Sequence, residues 1–118
     1  QSLTEFALAL PILALLLFAV IQFGIVFNNY VTLTDATRAG ARKAAVDRQL
    51  SNPAAVAISA VRSSAADLKQ SSLAVTVTST WQPSSDVTVT ATYPYSISLL
   101  GMVVKSGRLS SSTTERVE

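Results

Sequence analysis

The chain has 118 residues with neither cysteine nor histidine, so it is one small unit lacking disulfides, thiolate metal sites and the commonest general base. Hydrophobic residues make up 49% of it, and the formal net charge is only +2. The cations are not gathered on a dense basic face with interleaved aromatics, which excludes nucleic acid as a partner.

A serine nucleophile needs a base beside it, and the single candidate dyad is Lys105 with Ser106. Adjacent residues on a chain do not point at one another. The sequence therefore reads as non-enzymatic, with no catalytic residue, no metal ligand set and no cofactor.

In chain order, the first element is an apolar run. From Phe6 to Phe27 the one strongly polar side chain is Gln22. As a helix rising about 1.5 Å per residue, this run measures roughly 33 Å, enough to cross a bilayer. It is apolar all round, so something dry must surround it. A cleavable signal peptide carries a basic leader and a shorter apolar stretch of about 7–15 residues. This run reads instead as a segment that stays.

Glu5 stands at the lip of the run and admits two readings. Ser2-Leu3-Thr4-Glu5 fits a capping box, with Glu5 at the third helical position bonding back to the Ser2 N–H. Alternatively the helix end is buried among other subunits, and Glu5 seeks a positive partner. The α-amino group of Gln1 qualifies, from the same chain or from a staggered neighbour. Pro11 falls in the third turn and removes the hydrogen bond to the Ala7 carbonyl, at a cost of about 3 kcal/mol in a helix interior. Gly24 is a second weak point, about 1 kcal/mol less favourable than alanine. A simple anchor needs neither. A helix that bends or melts locally while packing on copies of itself can use both.

Beyond Tyr30 the helix is expected to continue to about Leu50. Ala36, Gly40 and Ala44 recur every four residues, a small-residue row that lets another backbone come close. Arg38 and Arg42 occupy a neighbouring stripe, either as a solvated face or as partners for carboxylates or carbonyls of adjacent subunits. Ser51-Asn52-Pro53 marks a break and a restart, a cap residue followed by proline at the first helical position. Ala54, Ile58, Val61, Ala65 and Leu68 then predict a second, amphipathic helix.

From Leu73 the period changes to two. Leu73, Val75, Val77 and Trp81 share a face against Thr76, Thr78 and Thr80. After a Gln-Pro-Ser-Ser-Asp connection, Val87, Val89, Ala91, Tyr93 and Tyr95 alternate with Thr88, Thr90 and Thr92. This predicts a β-hairpin with one buried face. The apolar stretch 97–104 (ISLLGMVV) is ambiguous, and RLSSSTTERVE reads as a polar last strand closing the sheet.

The segment "TEFALALPILALLLFAVIQFG" resembles the processed N-terminus of type IV pilin-like proteins, most closely the TadE-like pilins of the tight-adherence (Tad) pilus. The later "TDATRAGARKAAV" resembles that family's basic, small-residue second block. The resemblance implies a basic leader cut before Gln1 by a prepilin peptidase, although Gln1 stands where type IV pilins commonly carry phenylalanine. Without such a leader, the cations that follow the run would place residues 31–118 in the cytoplasm. It further implies that Glu5 guides docking at the pilus assembly platform by meeting a neighbour's N-terminal amine.

The expected fold is α+β and pilin-like: a long hydrophobic helix over about 2–50, a second helix and a small antiparallel sheet. The expected organisation is a hydrophobic helix over 1–30, stored in membrane and later forming a filament core. An amphipathic continuation over 31–50 and a small outer domain over 51–118 follow. The expected function is a structural pilin held in the bacterial inner membrane, then polymerised with identical subunits into an extracellular adhesive pilus. Gln1, Glu5, Pro11 and Gly24 would serve assembly. The alternative is a single-pass membrane-anchored minor pilin or scaffold module of a secretion or pilus machine.

Overall fold

The computed structural model describes residues 1–118 and is α+β: α1 (Ser2–Val46), α2 (Pro53–Ser64), β1 (Ala74–Ser79), β2 (Asp86–Leu99) and β3 (Met102–Arg116). The strands form an antiparallel meander in the order β1-β2-β3. The molecule measures 74 × 22 × 19 Å, so α2 and the sheet lie alongside the C-terminal part of α1 rather than beyond its end.

The core lies where the three layers meet. Leu33, Ala36 and Ala41 of α1 pack with Val61, Ala65, Leu68, Leu73, Val89 and Ala91. A second cluster joins Ala44 and Ala45 to Ala57, Val87 and Val117. The period-two pattern of the strands is realised as a burial pattern: Val87, Val89 and Ala91 are buried, and the alternate threonines face outward. On that outer face hydroxyls pair across strands, Thr88 with Thr114 at 3.0 Å and Thr90 with Ser112 at 2.8 Å.

α1 ends at Val46, four residues short of the expected Leu50. Asp47 caps it, with its N–H on the Lys43 carbonyl at 3.1 Å and its carboxylate 3.0 Å from the Lys43 ammonium. The reason for the early stop is tertiary. The Ala45 carbonyl, which a longer helix would give to Gln49, accepts instead from the Glu118 N–H at 3.1 Å. Arg48 Nε donates to the Glu118 carbonyl, so the last residues of the chain close this helix end.

α2 starts as expected. The Asn52 side chain accepts from the Ala55 N–H at 3.1 Å, and Pro53 occupies the first helical position, where its missing N–H costs nothing. Asn52→Ala is expected to lower stability by about 1 kcal/mol, measured by chemical denaturation of the detergent-solubilised chain. After α2, the Arg62 guanidinium fixes the path into β1, donating to the carbonyls of Gln70 (3.1 Å) and Leu73 (3.2 Å).

The ambiguous stretch 97–104 forms the β2–β3 turn. Leu99 pairs with Met102, and Leu100 and Gly101 both take positive φ (53° and 82°). That is the backbone of a two-residue hairpin loop whose twist matches its strands. Pro94 falls just past Thr92, the last β2 residue to pair with β1. Proline is tolerated where a strand has become an edge.

Candidate functional site

The candidate site is α1 itself, which divides into a bare part and a covered part. The most apolar 18-residue window of the helix is 0% buried, and Leu3, Phe6, Leu8, Ile12, Phe23 and Phe27 are each more than half exposed. Phe23 and Phe27 stack on each other at 6.4 Å, one turn apart. From Leu33 to Ala45 the picture reverses, since one side of the helix is the floor of the core.

At the N-terminus, the capping box expected from Ser2-Leu3-Thr4-Glu5 does not form. Gln1 is the N-cap, no side chain caps the helix, and Ser2 is already helical. The helix begins one residue earlier than the box requires. Glu5 therefore sits at the fourth helical position, with its own N–H bonded to the Gln1 carbonyl at 3.1 Å. Its carboxylate has no ion-pair partner within the chain, whose two ion pairs are Asp35–Arg38 and Lys43–Asp47. Of the two readings of Glu5, local capping is therefore the one this helix end does not realise. Pro11 lies inside a helix that continues through it. Gly24 faces open space, with nothing within 4 Å of where a Cβ would stand.

The small-residue row is occupied by the chain's own second helix. Ala36 and Ala44 are fully buried, and a Cβ on Gly40 would overlap the Val61 Cγ2 and lie 3.2 Å from the Ala57 carbonyl oxygen. Close helix approach is therefore used within the chain, between α1 and α2. On the adjoining side Thr37 is fully buried and satisfied. Its hydroxyl meets the Thr34 carbonyl at 2.8 Å and the Thr113 hydroxyl at 2.9 Å. Thr34 in turn pairs with Ser111 at 3.1 Å. These helix-to-strand hydroxyl contacts were missed from sequence. Two threonines three apart on a helix give a faint signal, but nothing local names the strand they meet.

The family model described as TadE-like protein matches residues 1–42. Over this segment, about a third of the chain, the sequence is similar to TadE-like proteins. No curated protein and no solved structure matches it. The TadE-like segment comprises the bare span, Glu5, Pro11 and Gly24, together with Ala36, Arg38, Gly40 and Arg42. It stops before α2 and the sheet.

Arg38 and Arg42 of the TadE-like segment are both solvent-exposed. Arg38 stands 3.8 Å from Asp35, a pairing between side chains that are 70% and 67% exposed. Such surface pairs contribute little to stability and leave the guanidinium free to take other partners. With Lys43, the two arginines line an open groove of ≈ 700 Å³ between α1 and β3, whose other wall carries Thr113 and Glu115. The groove is predominantly cationic, with Arg38, Arg42 and Lys43 against the single carboxylate of Glu115.

Proposed function

We propose that this chain is a structural pilin subunit, polymerising through α1 with identical copies into an extracellular Tad-like pilus for surface adhesion. The observation that carries this reading is the bare apolar circumference of α1 below Leu33. A helix of that kind needs dry surroundings, and the subunit supplies none of its own there. A bilayer meets the need before assembly, and neighbouring α1 helices meet it afterwards. The TadE-like match over the same residues supports a component of the Tad pilus. The role is structural rather than catalytic.

In this scheme a prepilin peptidase releases Gln1 as the mature N-terminus. Glu5, without a partner in its own chain, takes the N-terminal amine of the neighbour already in the filament. Pro11 and Gly24 give the helix places to bend as it leaves the membrane. Arg38 and Arg42 receive carboxylates or carbonyls of adjacent subunits.

Electron microscopy of sheared surface material, with mass spectrometry of the fibres, tests the reading. Fibres containing this chain with Gln1 at its N-terminus are expected; a mass about 17 Da low would mark cyclised glutamine, which loses ammonia. Cyclisation would remove the amine that Glu5 is assigned to meet. Recovery only from detergent-extracted membranes would overturn the filament role in favour of a single-pass anchored module.

A further inference from the structure

The β2–β3 ribbon outruns its sheet. β1 pairs with β2 only as far as Thr92, so from Tyr93 onward β2 and β3 continue as two strands alone. The end of this ribbon is apolar and bare: Leu100, Met102, Val103 and Val104 are 75%, 70%, 64% and 62% exposed. Just behind it stand the exposed cations Lys105 and Arg108, and Tyr95, whose ring lies across Gly107 on the facing strand.

Direction decides what this tip can reach. Ser111 meets Thr34, Thr113 meets Thr37 and Glu118 meets Ala45, so β3 runs the same way as α1. Traced backwards from Ser111, the strand descends toward the apolar end of the helix. Between Ser111 and Thr113 about 7 Å of strand matches about 4.5 Å of helix from Thr34 to Thr37, so β3 advances along the helix axis by roughly 0.7 of its own length. From Ser111 back to Met102 it therefore descends about 21 Å, whereas Phe27 lies only about 10 Å below Thr34. The tip accordingly reaches about 10 Å past the level of Phe27, where the apolar span has begun. Widths of 22 and 19 Å keep the ribbon beside α1.

We propose that the β2–β3 tip is a second membrane contact. With α1 across the bilayer, Leu99–Val104 enters the leaflet that Phe27 borders. Lys105 and Arg108 remain at the lipid phosphates, and Tyr95 lies at the interface. The pattern of an apolar wedge, an aromatic ring and basic residues behind it matches the layering of a bilayer from hydrocarbon to headgroup. Because α2 and the sheet share a core with α1, anchoring at two points fixes the rotation of the whole molecule about the α1 axis, so that a stored subunit presents one constant face. This inference rests on α1 spanning the membrane, and the test separates the two.

Because the chain has no cysteine, single-cysteine variants of the full chain can carry one nitroxide label each. Leu100→Cys reports the tip, Ile21→Cys the helix, and Gln82→Cys the loop at the opposite end of the sheet. Each is placed in phosphatidylethanolamine–phosphatidylglycerol nanodiscs at one copy per disc. Collision rates with oxygen and with a water-soluble nickel chelate are then compared by electron paramagnetic resonance. Leu100 is expected to resemble Ile21, with an oxygen-to-nickel ratio several-fold above that of Gln82. Adding Met102→Asp and Val104→Asp should return the Leu100 label to water and leave the Ile21 label unmoved. A Leu100 label in water while Ile21 is in lipid overturns the tip contact alone. Shielding of Leu100 only in discs holding several copies overturns it too, and assigns the tip to a second copy of the chain. An Ile21 label in water overturns both the tip contact and the membrane placement of α1.

Discussion

Replacing Glu5 with glutamine is expected to leave a folded, processed, membrane-held subunit that forms few or no fibres. The side chain caps nothing in its own helix and pairs with nothing in its own chain, so Glu5→Gln removes no intramolecular bond. What it removes is the negative charge. If the filament core buries that carboxylate against a neighbour's amine, the variant strands the amine in dry surroundings. Breaking a buried pair by removing one partner costs about 3–5 kcal/mol, enough to reduce assembly by more than a hundredfold. Fibre yield by quantitative electron microscopy, set beside the amount of mature subunit in the membrane, measures the effect. Fibres at normal yield from Glu5→Gln would withdraw the assembly role assigned to this residue.

The second large effect is expected at Gly40. A leucine there must occupy space already filled by Val61 and by the Ala57 carbonyl, and Val61 is itself fully buried. Valine is stiff about χ1 and cannot swing away cheaply, so α2 has to move off α1. Overpacking of this kind costs about 1–3 kcal/mol, and in a packed region this small each kcal/mol lowers Tm by roughly 4–8 °C. Gly40→Leu should therefore make α2 and the sheet sensitive to limited proteolysis while α1 stays in the membrane. Gly24→Leu is the matched control, because open space surrounds Gly24. It should leave protease resistance unchanged. Equal resistance in the two variants would show that the α1–α2 contact tolerates a wider spacing than this fold implies.

Several features were legible in the sequence because they depend on residues close together. The bare span follows from the apolar run Phe6–Phe27, interrupted only by Gln22 and long enough as a helix to cross a bilayer. The start of α2 follows from Asn52-Pro53, where cap chemistry and a fixed φ act within four residues. The alternation of Val87, Val89 and Ala91 with threonines needed only the two-residue period of a strand to show which face is buried.

Other features were not legible in the sequence, and most of them turn on a partner distant along the chain. α1 stops at Val46 because the Glu118 N–H takes the Ala45 carbonyl, and no local signal in 45–50 announces that bond. The capping box at Ser2–Glu5 was a sound local pattern, yet the helix began at Ser2 with Gln1 as its cap, and the motif lost its register. The row Ala36, Gly40 and Ala44 signalled close approach without naming the partner, which proved to be α2 of the same chain. The stretch 97–104 was ambiguous because a short apolar run suits a buried strand or a helix equally well. Pairing of Leu99 with Met102 made it a hairpin, and the contacts of Ser111 and Thr113 with α1 aimed that hairpin along the apolar helix. Periodicity and cap chemistry are properties of neighbouring residues, so the sequence determined the span, the strands and the start of α2. Helix ends, packing partners and the direction of a ribbon depend on which distant groups meet, and only the folded chain decides that.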